Sequence, residues 1–470
     1  LNQGELGPDN VSLAKKGRWI INDQIPPLAV PGGCLFVDAA TNSVRNLLFN
    51  LDKEAFDAEE VSIYSEHLFR TRQFSTWNFQ EGIFPLLWTV FNDGTFATFT
   101  FEFDQQMKAW TRHDSAVRVR SSCGTIEPDL TFFVVSKVVD GHTKRYIEYS
   151  APRYTPAQYI PLDPEYDKNY SIAYMDSMVS VRTVMSDALF VGDYFSLTAA
   201  TQINGEDGSP GEDDWSGPLN LFTQSTEVFG GTRGWGAVGD ILRYFDPEDG
   251  SVYDFEVLTQ TDTKNLVVQC NTTFPSANAI GLRLYLTQAT FTGLEHLNDE
   301  DVSIIVDGAV VASPLNDRDN YPTVTVVAGS LTLPNDLRGA IVHIGRPIVG
   351  DIETLDIDTV EQSPTLIESL NIDKLYVKVH NSSGLFVGNK FPANDSVVGM
   401  EPLDSYEVNY EDDTPIIGNR AQQAQTKRVE LTLPGDWKSQ GKVCIRQVDP
   451  LHFEVLSIIP DCEILTRSDR

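Results

Sequence analysis

Apolar and polar residues alternate with a period of two along much of the chain, the spacing of a half-buried β-strand. The run "LLWTVFNDGTFATFTFEFDQQMKAWTRHD" (86–114) shows it best. Phe99, Phe101 and Phe103 fall on one face, with Thr98, Thr100 and Glu102 on the other. Asn92-Asp93-Gly94 interrupts the alternation with a hairpin signal, because such a turn needs the positive φ that glycine tolerates. The run "LFVDAATNSVRNLLFNLDKEAFDAEEVS" (35–62) has the same layout. Its Phe49-Asn50-Leu51-Asp52 corresponds to Phe101-Glu102-Phe103-Asp104, an offset of 52 residues. A third stretch, "TFFVVSKVVDGHTKRYIEYS" (131–150), repeats strand, Asp140-Gly141 turn and strand. Repeated antiparallel units of about 50 residues predict propeller-like blades. Three units fall short of the roughly four to eight of a closed propeller. For residues 1–152 the expectation is therefore a partial propeller-like region whose N-terminal part is missing, since Leu1 is not a methionine.

Pro152, Pro156, Pro161 and Pro164 predict a proline-rich connector over 153–185. Strands near Tyr194–Ala199, Tyr253–Leu258, Leu266–Cys270 and Leu282–Thr287 predict a β domain over 186–290. It carries an acidic loop rich in glycine and proline, "NGEDGSPGEDDWSGP" (204–218), expected to be mobile. Across 291–470, "DVSIIVDGAVV", "TVTVVAGSLTLP", "AIVHIGRPI" and "LYVKVHNSSGLFVG" are short alternating strands with glycine or asparagine turns. They predict a C-terminal β-sandwich or barrel platform. "SPTLIESLN" (363–371) is the one helical candidate. "GKVCIRQVDPLHFEVLSIIPDCEI" (441–464) reads as two apolar strands bent around Asp449-Pro450. Val443, Ile445, Val455, Leu456, Ile458 and Ile459 are expected to supply its apolar faces. The fold class expected is all-β and mainly antiparallel, with propeller-like blades followed by small sandwich or barrel domains and few helices.

Charge narrows the function. With 67 acidic residues against 35 basic ones, the net charge is −32, which repels phosphate backbones and disfavours tight nucleic-acid binding. Five scattered cysteines form no CxxC or Cys/His cluster, so neither a zinc site nor a disulfide framework is indicated. Free thiols and a reducing compartment are expected. No apolar run approaches the roughly 18 residues of a membrane span, and no signal peptide is visible. GxSxG, HExxH and P-loop motifs do not occur, and no GxGxxG opens a βαβ unit. The seven histidines show no metal-ligand spacing. His343 and His380 alternate within strand patterns, and His113-Asp114 lacks a nucleophile. No catalytic, cofactor-binding or metal-ligating residue is assigned, and no enzymatic activity is expected.

Two other readings stay open. Carboxylate pairs such as Asp213-Asp214 or Glu411-Asp412-Asp413 suit a polysaccharide hydrolase. The loop residues Glu206, Asp207, Asp213, Asp214 and Trp215, with Trp235 beyond them, suit a receptor- or carbohydrate-binding module. The loop does not match the DxDxDG spacing of an EF-hand.

Trp88, Asp93, Gly94, Ala109, Trp110, Arg112 and His113, followed by Gly141, Arg145, Tyr146, Ile147 and Glu148, form an ordered pattern. It resembles the tail nozzle, or tail tubular protein B, family of short-tailed bacteriophages. A second block resembles the same family through Gly293, Leu294, His296, Leu297, Val302, Asp307 and Gly308, with Asp299 where that block commonly has glycine. "GSLTLPNDLRGAIVHIGRPI" (329–348), containing Gly345, looks like the strand pair that follows. The third block is Arg446-Gln447-Val448-Asp449-Pro450-Leu451 with Ile458-Ile459-Pro460, His452 standing in place of the commoner proline. Residues 186–287 align only loosely.

The resemblance implies a structural virion protein, assembled in the host cytoplasm as a homo-oligomeric, hexameric ring below the portal and its adaptor protein. Such a ring conducts genomic DNA without binding it specifically, docks tail fibres or tailspikes, and inserts in no membrane. No catalytic residue carries over, because the shared positions suit turns and cores. Trp88 and Trp110 suit strand packing, Gly94, Gly141 and Gly308 suit positive-φ turns, and Arg145 with Glu148 suits a local ion pair. The acidic surface is then expected to line the channel.

Overall fold

The computed structural model describes residues 19–50, 55–81, 85–102, 107–115, 117–125, 130–150, 173–182, 195–200, 202–203, 212–223, 236–246, 251–275, 280–282, 284–319, 321–357, 359–360, 363–364, 369–382, 384–403, 425–433 and 441–465. These residues are almost wholly antiparallel β, as the alternation predicts. The chain divides into two compact units, Leu1–Arg153 and Tyr154–Arg470.

Three successive meanders build the first unit. The first is β1 (Leu28–Val30), β2 (Gly33–Asp38), β3 (Ser43–Asn50) and β4 (Ala55–Glu60), paired in chain order. A short helix α1 (Glu66–Phe69) leads to the second, β5 (Phe74–Gln80), β6 (Leu86–Phe91), β7 (Phe96–Glu102) and β8 (Met107–His113). In the third, β10 (Thr131–Val139) lies between β9 (Arg118–Gly124) and β11 (His142–Tyr149). The sequence repeat survives element by element: β3 starts at Ser43 and β7 at Phe96, β4 at Ala55 and β8 at Met107.

The meanders pack face on face. Leu35, Val37 and Val44 of the first share a core with Leu87, Phe99 and Phe101 of the second, and Leu68 and Phe69 of α1 join them. On the other face of the second meander, Leu86, Trp88 and Val90 meet Val119, Phe133 and Val135 of the third. This is why "LLWTVF" shows no polar alternation: β6 is buried at every position, between two neighbouring sheets. Neighbouring meanders approach along their first strands, β1 beside β5 and β5 beside β9. Toward the last strands, long side chains span the space. Lys108 Nζ reaches Glu59 at 2.6 Å, and Trp110 Nε1 donates to the Val61 carbonyl at 3.0 Å.

The second unit opens with β12 (Asp176–Arg182) and β13 (Phe195–Ala199), then a two-residue pair, β14 (Gln202–Ile203) with β15 (Glu212–Asp213). There follow β16 (Pro218–Thr223), β17 (Ile241–Phe245), β18 (Val252–Gln260), β19 (Asn265–Cys270), β20 (Ile280–Leu282) and β21 (Leu284–Leu286). Seven of these strands form one sheet in the order β20-β13-β16-β19-β18-β17-β21. Its two edge strands, β20 and β21, are consecutive in the chain, so the sheet curls like a barrel. Phe195, Leu219, Phe255 and Phe274 fill its concave side.

Next come β22 (Thr290–Thr292), β23 (Ser303–Val306), β24 (Ala309–Ala312), β25 (Ser330–Thr332) and β26 (Ile341–Arg346). The chain continues through β27 (Gly350–Glu353), β28 (Thr359–Val360), β29 (Ser363–Pro364), β30 (Ser369–Ser382), β31 (Leu385–Gly388) and β32 (Glu401–Pro402). It ends with β33 (Gln425–Thr432), β34 (Cys444–Gln447) and β35 (Val455–Leu465). The region expected as one platform has two main cores. Val302, Ile304, Val342 and Ile344 belong to one, and Leu375, Val377, Val387 and Ile445 to the other.

Three expectations are corrected. The connector is not connector throughout: β12 pairs with β26, setting Val179 opposite Ile344 and Val181 opposite Val342 in the sheet β12-β26-β23-β24. Residues 151–172 and 183–194 lie outside those described. The helical candidate 363–371 contributes to β29 and the start of β30 instead, because β30 finds strand partners on both sides in β33 and β35. The two strands bent around Asp449-Pro450 do not form one unit. β34 enters the sheet β27-β34-β31-β32 and β35 the sheet β33-β30-β35. Consequently Val443 and Ile445 are buried, whereas Leu456 and Ile459 are 49% and 52% exposed.

Candidate functional site

In the first unit the motif residues occupy turns and aromatic packing. Asp93 closes the β6–β7 hairpin, its Oδ1 accepting from the Thr95 amide and hydroxyl at 2.9 and 2.6 Å and its Oδ2 from Arg72 Nε at 3.0 Å. Partial burial pushes the Asp93 carboxyl up, but the Thr95 and Arg72 contacts outweigh it and hold the pKa below the ordinary value. Gly94 has φ +88°, and a side chain there would lie 2.8 Å from Arg118 Cβ. Asp140 and Gly141, both at positive φ, form the two-residue turn closed by Val139 and His142. Trp88 donates Nε1 to Gln80 at 2.8 Å, and Trp110 stacks on Phe99 with centroids 4.5 Å apart.

His113 lies parallel to Phe96 at 4.8 Å and meets the Thr98 hydroxyl at 2.8 Å, while Asp114 pairs with Arg112. The expected Arg145–Glu148 pair is corrected. Residues three apart on a strand point to opposite faces. Glu148 faces inward to Lys137 at 3.3 Å, where Lys137 also covers the Tyr146 ring, and Arg145 faces solvent.

In the second unit the motif residues tie sheets together. Asp307 and Gly308 form the β23–β24 turn, at φ +48° and +83°. The Asp307 carboxylate accepts from the Ile341 amide at 2.7 Å and the Ala340 amide at 3.1 Å, and it pairs with Arg243 of the curled sheet. Arg243 also grips Asp254 through Nε and Nη2, both at 2.7 Å. Burial opposes charge on Arg243, and the two carboxylates overcome it, so its pKa is raised.

Asp299 adopts φ +61°, a left-handed backbone that aspartate tolerates. Gly293 has φ +84°, and His296 Nε2 meets the Ser177 carbonyl at 3.1 Å. Gly345 lets β12 approach, because a side chain there would lie 2.7 Å from Met175 Cβ. Its neighbour Arg346 pairs with Glu300.

The third block forms an elbow between the last two sheets. Arg446 grips Asp351 through two nitrogens at 2.8 and 2.7 Å, donates to the Ser396 carbonyl at 2.9 Å, and lies over the Phe391 ring. Asp449 is buried, and both its oxygens accept from Asn316 Nδ2, at 3.0 and 3.1 Å. Burial pushes its carboxyl up to about 6, with the Asp319 charge adding to the rise and Asn316 and Ser313 opposing it. The Pro450 carbonyl accepts from the Tyr174 amide at 3.0 Å, which anchors the segment before β12.

Of the loop residues, Asp213 lies in β15, and Asp214 caps a turn by accepting from the Ser216 and Gly217 amides at 3.0 and 3.1 Å. Trp215 packs against the core of the curled sheet, so it is corrected from a contact aromatic to a core one. Glu206, Asp207 and Trp235 lie outside the described residues, as do Glu411, Asp412 and Asp413.

The chemistry assembled is that of clamps. Among the described residues no group of three or more His, Cys, Asp or Glu side chains is placed to hold a metal ion, and no helix is long and apolar enough to cross a membrane. The five cysteines are free. Ser180 and His343 meet at 2.7 Å as directly opposed residues of the β12–β26 ladder.

Sequence reading missed Arg243, Asp254, Asn316 and Asp351. A signal for Arg243 was present. An arginine inside the apolar strand "ILRYF" needs a buried carboxylate partner. No known protein-family model matches the chain, and no curated protein matches it.

Proposed function

We propose that the chain is a structural subunit of a phage tail nozzle of the tail tubular protein B kind, assembled into a ring in the virion and turning over no substrate. The observation that carries this reading is where the three resembling blocks sit. Asp93-Gly94 and Asp140-Gly141 shape the meander turns, Asp307 joins the curled sheet to its neighbour, Arg446 clamps β34 to β27 within one sheet, and Asp449 ties the segment after β34 to Asn316 in the loop after β24. Residues with these duties stiffen a wall. The first unit adds three successive antiparallel meanders packed face on face.

The acidity supports the same reading. A net charge of −32 keeps a polyanion from adhering to a wall it slides past. Partners follow from the role: the tail adaptor on one side, fibres or tailspikes on another, and genomic DNA in transit. The test is the native mass of the purified chain across a concentration series. A single oligomer of ring stoichiometry is expected, and a monomer at every concentration would remove the reading.

A further inference from the structure

The outer face of the third meander is exposed and of mixed chemistry. By register, Phe132, Val134 and Val138 of β10 share it with Ile147 and Tyr149 of β11, and Cys123 of β9 lies opposite Phe132. Ile147, Val138 and Tyr149 are 76%, 66% and 60% exposed. The opposite face of the same sheet is closed by the second meander. Arg118 and Arg145 flank Ser136 in the register, and Arg120 Nε donates to the Ser136 hydroxyl at 2.9 Å. No carboxylate takes a register position on this face among the described residues. Three arginines set among apolar side chains are conspicuous in a chain of net charge −32.

The first meander ends the stack on the other side with a complementary face. Phe49 and Phe56 lie opposite each other with centroids 5.3 Å apart, 53% and 52% exposed. On that face Arg45 binds Glu60 at 2.9 Å and the buried Asp38 at 3.1 Å, so two carboxylates stand against one guanidinium there.

We propose that the outer face of the third meander docks a second copy of this chain, on the outer face of that copy's first meander around Phe49 and Phe56. Within the unit, each junction sets an apolar meander face on the next, so a second copy continues the stack. The charges of the two end faces are opposite in sign. Exposed Ile147, Val138 and Tyr149 favour a protein occupant over a phosphate backbone. The contact joins unlike faces, and such contacts form closed rings when the rotation between copies closes. The inference rests on the ring reading for closure, while the contact follows from the two faces.

The experiment uses three full-length chains: the unaltered one, Ile147→Asp with Tyr149→Asp, and Phe56→Asp. All three positions are solvent-exposed, so the fold is retained. Light scattering is expected to find the unaltered chain oligomeric and each variant monomeric, with association weakened by at least about tenfold, the loss of one buried apolar side chain. Mixing the two variants restores one intact pair of unlike faces and is expected to give a dimer. Cys123 is expected to react with a maleimide more slowly in the unaltered oligomer than in either variant. Variants that assemble like the unaltered chain, or a mixture that stays monomeric, overturn the proposed contact. If the variants keep the ring, the contact falls and the ring reading stands. If assembly depends on these faces yet closes no ring, the contact stands and the ring reading falls. An unaltered chain that is monomeric throughout overturns both.

Discussion

Single buried charges carry much of the specification of the second unit. Asp307 receives two backbone amides and a guanidinium while almost fully buried. Removing one partner of such a pair leaves the other uncompensated, at a cost of about 3 kcal/mol. Asp307→Ala is accordingly expected to lower the stability of the full chain by that amount in urea unfolding, with the slope unchanged. Asp449 acts in the other direction. An unperturbed aspartate titrates near 4, and burial raises Asp449 to about 6. The folded state then holds the proton more tightly than the unfolded state. The stabilisation is complete below about pH 4 and is lost as the pH rises through about 6. Unfolding measured from pH 4 to 7.5 is expected to show a decline of about 2 kcal/mol in the wild type relative to Asp449→Asn. Parallel profiles would show that Asp449 titrates normally.

At the scale of elements, turns and strands were legible in the sequence, whereas pairing partners were not. The Asp-Gly dipeptides at 93–94, 140–141 and 307–308 announced their hairpins because local φ decides those turns. The two glycines 94 and 141 separate local strain from packing. Gly141→Ala strains only the backbone, since nothing lies within 4 Å of the added carbon. It is expected to cost about 1 kcal/mol. Gly94→Ala adds a collision with Arg118 Cβ and is expected to cost about twice as much by chemical denaturation. Strand partners depend on distant residues, and there the sequence misleads. Val443 to Ile459 read as one bent β unit, yet its strands enter different sheets and leave Leu456 and Ile459 half exposed. Ile445→Ala, at a fully buried position, is expected to cost about 3 kcal/mol. Ile459→Ala is expected to cost well under about 1 kcal/mol in the same thermal unfolding series.

For the whole molecule, the alternation made an all-β chain legible, and the 52-residue offset made the stacked meanders legible. The clamps were less so. Their partners come from widely separated positions, Arg243 with Asp307 and Arg446 with Asp351, and no local pattern links such pairs. The connector hid β12 because its apolar positions Val179 and Val181 find their partners only in β26. The central claim is that this acidic β chain forms the wall of a tube. Imaging of the assembled protein by electron cryomicroscopy tests it most directly. A closed ring with a predominantly negative lumen is the expected result; a basic lumen, or a protein that forms no ring, would contradict it.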